Sequence, residues 1–220
     1  MIQVPRKRVA LIVAHPDDET LWAGGTILTH PNWECFIVCL CRGSDPKRAP
    51  RFEQTLVLLR AEGIMGDLDD GPEQIPIPDF DLQQAILQLL PAIHFDLIIT
   101  HHPAGEYTRH LRHEETSKAV IELWYAGKIM ATTLWFFAFE DGAKAYYPKA
   151  VPNTSICHRL SRLIWLKKYR LITKTYGFDP KSWEALTTPS TESFWQFSDP
   201  KRAVHWLNNK GVHYESTLTV

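Results

Sequence analysis

Val9-Ala10-Leu11-Ile12-Val13 runs directly into Ala14-His15-Pro16-Asp17-Asp18-Glu19-Thr20. Five apolar residues of strong strand propensity, then a histidine and three acids within five residues, read as a buried strand ending in a polar pocket. Open parallel sheets place their ligand crevices at the carboxyl ends of strands, and imidazole with carboxylate is a donor set suited to a divalent metal such as zinc. The same acids also suit a helix N-terminus, whose free N–H groups and dipole favour negative charge. The segment alone leaves capping and metal binding equally open.

Working outward, apolar strands alternate with helices. Strands are expected at 35–41, 96–100 and 132–139, and helices at 21–28, 52–65, 82–90 and from Glu114 onward, with an acidic loop at 67–81. The helix at 21–28 carries Gly24 and Gly25, which would let it pack closely on the sheet. Short connections between alternating strands and helices predict an α/β fold, a doubly wound and largely parallel sheet with helices on both faces, Rossmann-like in outline. After Glu140 the pattern loosens. Residues 155–169 read as a helix, 183–197 are aromatic without a clear period, and 205–220 would form edge strands or a loose arm. The expected organisation is a single domain, 1–140 as its α/β core and 141–220 as a C-terminal elaboration that closes over the pocket or builds a subunit interface.

A chain of 220 residues buries about 70% of its unfolded surface and needs no staples. With 24 basic and 25 acidic residues its net charge is −1, which offers no field for nucleic acid. Arg6, Lys7 and Arg8 precede an apolar run of only 9–14, too short for a signal-peptide core or a membrane span, so a soluble, cytoplasmic protein is expected. Cys35, Cys39 and Cys41 fall on one face of the second strand and read as small buried hydrophobes in a reducing compartment.

Two strand ends carry histidines: His15 after the first, and His101-His102-Pro103 through His110 and His113 after the strand at 96–100. Neighbouring strand ends of a doubly wound sheet bring distant residues together. His15, Asp18 three residues on and His113 can then face one ion, a set that leaves positions open for water and substrate. Asp17 is free to take a proton from water.

Ala14-His15-Pro16-Asp17-Asp18-Glu19, with Thr100-His101-x-Pro103-x-Gly105 and His110-x-x-His113, resembles the PIG-L/LmbE family of zinc-dependent de-N-acetylases. The resemblance runs over 9–139, with looser agreement at Tyr176-Gly177-Phe178 and Glu192-Ser193-Phe194. It implies that His15, Asp18 and His113 bind zinc, with Fe2+ as an alternative ion, that Asp17 is the general base, and that a protonated His110 assists the oxyanion or the leaving group. The implied activity is hydrolysis of the acetamide of an N-acetylated amino sugar or sugar conjugate, a small-molecule substrate, by a monomer or homo-oligomer. His101, Tyr107 and Trp22 are the candidate substrate contacts. Other acids of the loop, Asp69, Asp70 and Glu73, read as solvated.

Three motifs depart from the family. Arg112 stands where His-Pro-Asp-His would place an aspartate beside the histidine, and a cation there would lower the imidazole pKa. Glu106, Glu114 and Glu115 are the acids that could replace that aspartate. Cys41-Arg42-Gly43 replaces Thr-x-Gly, and Arg51-Phe52-Glu53-Gln54 replaces Arg-x-x-Glu. Two further functions stay open: an amidase acting on a non-sugar amide such as a thiol conjugate, and a non-catalytic metal- or nucleotide-binding domain. Against the last, His-Pro-Asp-Asp-Glu lacks the glycine-rich amide cradle that phosphate needs.

Overall fold

The computed structural model describes residues 6–209 and Gly211. In chain order the elements are β1 (Lys7–Val13), α1 (Asp18–Thr29), β2 (Trp33–Cys41), α2 (Arg48–Leu59), β3 (Glu62–Leu68), α3 (Asp79–Leu89), β4 (His94–Phe95), β5 (Leu97–Thr100), α4 (Leu111–Tyr125), β6 (Met130–Ala131), β7 (Leu134–Phe137), β8 (Phe139–Glu140), β9 (Lys149–Ala150), β10 (Ile156–Arg159), α5 (Arg162–Arg170), a π-helical turn (Leu171–Thr175), α6 (Trp183–Thr187), β11 (Thr191–Phe197) and α7 (Pro200–Asn208). Seven strands form the main sheet in the order β10-β11-β7-β5-β1-β2-β3. The five from β7 to β3 are parallel, and β10 and β11 extend the sheet antiparallel.

The sheet is doubly wound, as its alternation predicts. Val9, Leu11 and Val13 point to one face and pack with Leu21 and Trp22 of α1, Phe52 of α2 and Ile172 of the π turn. Ala10 and Ile12 point to the other, against Ile86 of α3, Val120 of α4 and Trp206 of α7. All five β1 residues from Val9 to Val13 are fully buried, which is why they carry no polar alternation. The strand order reverses at β1, which pairs with β2 on one side and β5 on the other, so a crevice opens beyond Val13 and Thr100. Among the described residues no helix is long and apolar enough to cross a membrane.

Several sequence expectations shift. The helix expected at 52–65 ends at Leu59, because Arg60 turns left-handed (φ 56°), and 62–68 form the edge strand β3. Gly63 and Gly66 hid that strand, since glycine has low strand propensity; a Cβ on Gly63 would lie 2.4 Å from the Ile37 carbonyl oxygen. The helix expected at 155–169 opens instead with β10, and Ser161 caps α5 by accepting the Ile164 N–H. The stretch 183–197 resolves into α6 and β11. Of the tail expected as strands or an arm, His205 lies in α7, and 212–220 lie outside the described residues. Cys35, Cys39 and Cys41 are buried free thiols, but a register shift between Cys39 and Cys41 turns Cys41 to the opposite core.

Glu192 of β11 ties the antiparallel extension to α1. Fully buried, its carboxylate accepts the Gly25 and Thr26 backbone N–H groups (2.9 and 2.6 Å), the Thr26 hydroxyl (2.6 Å) and the Lys168 ammonium (2.6 Å). Gly25 is where α1 touches its neighbour most closely: a Cβ there would meet Leu160 at 2.3 Å.

Candidate metal centre

The strand ends of β1 and β5 bring His15 and the 101–113 loop together across nearly a hundred residues. His15 follows β1, Asp18 is the first residue of α1, and His113 lies in the first turn of α4, one turn further in than its sequence neighbourhood suggests. Their donor atoms form a triangle: His15 Nδ1 to His113 Nε2 is 3.0 Å, His15 Nδ1 to Asp18 Oδ2 3.3 Å, and His113 Nε2 to Asp18 Oδ2 3.4 Å. Tetrahedral zinc with ligands at about 2.1 Å sets neighbouring ligand atoms about 3.4 Å apart, so the triangle matches one face of such a site. Two imidazole nitrogens and a carboxylate oxygen packed this closely are all electron-rich, and a cation is what satisfies them.

Each histidine of the triangle presents a free lone pair because its other nitrogen is engaged. His15 Nε2 donates to Asp70 Oδ1 at 3.1 Å, and His113 Nδ1 donates to Glu106 Oε2 at 2.6 Å. Carboxylates in these positions fix ring orientation and raise ligand basicity. Glu106, fully buried, reaches both ways, for its Oε1 accepts from His101 Nδ1. His101 is consumed by that bond and by the Ala14 N–H, which donates to its Nε2 at 2.8 Å. With both nitrogens occupied, His101 stands behind Asp18 as a support at 0% exposure. That placement corrects its assignment as a substrate contact.

Electrostatics follow from this packing. Burial pulls the His113 pKa down, but the charges of Glu106 and Asp18 and their hydrogen bonds raise it well above the ordinary imidazole value. For His15, burial likewise works against Asp18 and Asp70, and the net shift is upward. Burial raises the Asp18 carboxyl, yet His113 and its neighbours hold it well below the usual range. Asp17 moves the other way, raised well above that range by burial and by Asp18 alongside.

Asp17 sits at the N-cap of α1 with φ 128°, a conformation rare for a residue with a Cβ, and makes no side-chain cap bond. Its carboxylate faces the cavity, 3.5 Å from Arg48 Nη1. Glu19 takes the capping role, accepting the Asp17 N–H at 3.0 Å, and Tyr176 donates to it at 2.7 Å.

His110 stacks on His113 (4.2 Å between ring centres) and meets His15 edge-on (4.9 Å), while its buried Nδ1 has no partner. Burial, then the neighbouring His113 and His15, pull its pKa down to about 4. That downward shift runs against the imidazolium expected there. Nor does Arg112 act on it. The Arg112 guanidinium, 1% exposed, points away to the acidic loop, donating to the Asp69 and Ile75 carbonyls (2.6 and 2.7 Å) and pairing with Glu115 at 2.7 Å. Glu114 pairs with Arg109, so none of the three candidate acids reaches His110.

A cavity of about 340 Å³ opens over the triangle, walled by Asp17, Arg42, Arg48 and His110 and by the rings of Trp22, Tyr107 and Trp183. Trp22 is 1% exposed and Tyr107 half-buried. Trp183, 5.0 Å from Tyr107 and 6.4 Å from Trp22, completes the aromatic wall. Sequence reading missed Trp183, for an aromatic-rich stretch without a period carries no site signal. It also took Asp70 for solvated, whereas Asp70 is held by His15, Gln74 and two bonds from Arg42 (2.9 and 2.6 Å). Asp69 and Glu73 are exposed as expected.

The family model described as GlcNAc-PI de-N-acetylase matches residues 10–124. An uncharacterized protein, L374, of Acanthamoeba polyphaga mimivirus is 22% identical over 178 residues, 74% of this chain and 75% of that protein. The N,N'-diacetylchitobiose deacetylase of Pyrococcus horikoshii superposes with a TM-score of 0.66 at 16% identity, covering 97% of this chain and 88% of its own. GalB, a 4-carboxy-2-hydroxymuconate hydratase of Pseudomonas putida, superposes at 0.59 with 17% identity, covering 86% and 95%. A deacetylase and a hydratase thus share this fold, and function has to be argued from the site.

Proposed function

The chain belongs to the GlcNAc-PI de-N-acetylase family, and from that premise we propose that it is a zinc-dependent N-deacetylase, hydrolysing the acetamide of an N-acetylated amino sugar or sugar conjugate to acetate and a free amine. The observation that carries the reading is the triangle of His15 Nδ1, Asp18 Oδ2 and His113 Nε2 with the Asp17 carboxyl beside it. Those three atoms would hold a zinc ion, which when bound would supply Lewis acidity toward water and an amide carbonyl.

The chain's own groups then handle the proton. Burial, and Asp18 alongside, raise the Asp17 carboxyl well above the ordinary range, which makes its carboxylate a stronger base than an exposed one. It accepts a proton from the attacking water and returns it to the nitrogen as the C–N bond breaks, so that water is added across the amide with no other reactant. His110, neutral, offers an N–H to the negative charge developing on the carbonyl oxygen. Trp22, Tyr107 and Trp183 supply a flat apolar wall for the substrate ring, and Arg48 holds Asp17 in place. Asp70 and Glu106 keep the lone pairs of His15 and His113 aimed at one point.

Two measurements decide it. Protein purified without added metal is assayed for divalent ions, and acetate release is screened over N-acetylglucosamine, its lipid- and inositol-linked forms and short chitooligomers. A near-stoichiometric ion that disappears in His15→Ala, with acetate released from at least one sugar, is the expected result. A protein that binds no divalent ion, or releases acetate from none, overturns it.

A further inference from the structure

A cavity of about 570 Å³ lies toward the other end of the sheet, where β2 begins, and shares no lining residue with the metal centre. Its floor is apolar: Ile27 near the end of α1, Trp33 and Cys35 of β2, Leu59 of α2 and Leu171 of the π-helical turn, none more than 9% exposed. Leu58, 51% exposed, carries the apolar surface out to the mouth. The rim is basic. Arg60 follows α2, and Lys167, Arg170 and Lys174 come from α5 and the π-helical turn. Positions 167, 170, 171, 174 and 175 all line the cavity, the spacing of one helix face, so this helix lays a cationic stripe along the groove.

No acidic residue lines the cavity, and among the described residues none of the four cations is ion-paired. Lys168, on the same helix, shows the contrast: it is buried and has Glu192 at 2.6 Å. Like charges gathered on one rim repel one another, and an anion relieves them. A hydrated inorganic anion would leave the floor beneath unfilled, whereas an alkyl chain removes that apolar surface from water.

We propose that this cavity binds a single-chain anionic amphiphile, an alkyl carboxylate or alkyl phosphate, with its chain on the apolar floor and its head against Lys167, Arg170, Lys174 and Arg60. The site stands apart from the reaction at the metal centre and does not depend on it. Its ligand is a free molecule rather than a lipid within a bilayer, because the floor lies below the charged rim, where one chain can enter and a membrane surface cannot follow.

The intact chain is titrated by calorimetry with octanoate, decanoate, decyl phosphate and decyltrimethylammonium, each below its micelle-forming concentration, and is sedimented with phosphatidylglycerol vesicles. One decanoate per chain is expected, bound about tenfold more tightly than octanoate because two further methylenes leave water. It is also expected to bind at least tenfold more tightly than the alkyl cation of equal length. Whichever of decanoate and decyl phosphate binds better identifies the head that the rim prefers, and either order supports the site. All four cations are exposed, so neutralising them leaves the core intact. In the triple variant Lys167→Gln, Arg170→Gln, Lys174→Gln, and separately in Arg60→Gln, the discrimination against the cation is expected to fall, most of all in the triple variant. Binding is expected to persist in His15→Ala. Absence of saturable binding by any anion, equal affinity for the cation, or anion affinity unchanged within twofold in both rim variants overturns the proposal. So does association with vesicles without binding of the free amphiphile. Loss of decanoate binding in His15→Ala overturns it as well, since the carboxylate would then sit at the metal centre.

Discussion

His15 Nε2 lies 3.1 Å from Asp70 Oδ1, and that bond joins the metal centre to a loop more than fifty residues away. The loop is anchored from beneath by Arg112, whose guanidinium grips the Asp69 and Ile75 carbonyls on either side of Asp70. Arg112 thus stabilises the far support of His15 where the family places an aspartate. Replacing Asp70 by asparagine removes the charge but not the shape, and zinc affinity is expected to fall about ten- to a hundredfold. Competition against a chromophoric chelator measures it. Affinity unchanged within twofold in Asp70→Asn would show that the bond does not orient the ligand.

Asp17 carries a conformational cost along with its chemistry. At φ 128° its Cβ is strained by about 1–3 kcal/mol, and its carboxyl is buried beside Asp18. Asp17→Gly relieves both, so it is expected to gain about 1 kcal/mol of stability while losing about 10² to 10⁴ in kcat. Asp17→Ala keeps the strained Cβ and loses the same activity. Urea unfolding of the two variants side by side separates them, and equal stability of the glycine and alanine forms would remove strain from the account.

Proton and metal compete for the same nitrogens, which fixes a pH dependence. His113 and His15 have folded-state pKa values raised above the ordinary 6.5. The stabilisation this gives the metal-free protein is fully present below 6.5 and is lost as pH rises through the raised values. Asp70 and Glu106, held low by the histidines facing them, stay ionised across that window and add no slope. Zinc binding must displace the imidazole protons, so its affinity climbs over the same range. Melting of chelator-treated and zinc-loaded protein between about pH 6.5 and 8.5 should show Tm falling for the first and a widening gap to the second. A gap that stays constant or narrows contradicts the raised values.

How much of this was legible in the sequence depends on what each feature's signal travels through. The apolar run 9–13 and the histidines after two strands carried the doubly wound sheet and the juxtaposition of His15 with His113, because strand adjacency follows from alternation. Asp70 was named only among loop acids, and Glu106 only as one of three acids that could replace the missing aspartate. Which side chain such a loop turns inward is set by tertiary anchors, here Arg112 for Asp70 and the paired rings of His101 and His113 for Glu106. Arg112 itself was legible as a departure and misread as a perturber of His110, since sequence proximity says nothing of where a long side chain points. Edge strand β3 was lost to the helical spacing of Leu56 and Leu59 just before it and to the glycines within it, Gly63 and Gly66.

The adjacent glycines of α1 give opposite predictions from one helix. Both occupy its interior, where glycine costs about 1 kcal/mol relative to alanine. A Cβ on Gly24 meets nothing closer than Thr20 Cγ2 at 3.4 Å, an ordinary contact. One on Gly25 falls 2.3 and 2.5 Å from the Leu160 methyl carbons and 2.9 Å from Glu192 Oε1, inside the buried network that fastens β11 to α1. Gly24→Ala is therefore expected to stabilise the protein by up to about 1 kcal/mol. Gly25→Ala is expected to destabilise it by about 1–3 kcal/mol, because the new methyl must displace a packed leucine. Thermal unfolding of both variants reads the difference, and the sign itself is the test: destabilisation at Gly24, or stabilisation at Gly25, would mean that α1 does not pack on Leu160 and Glu192 in this register.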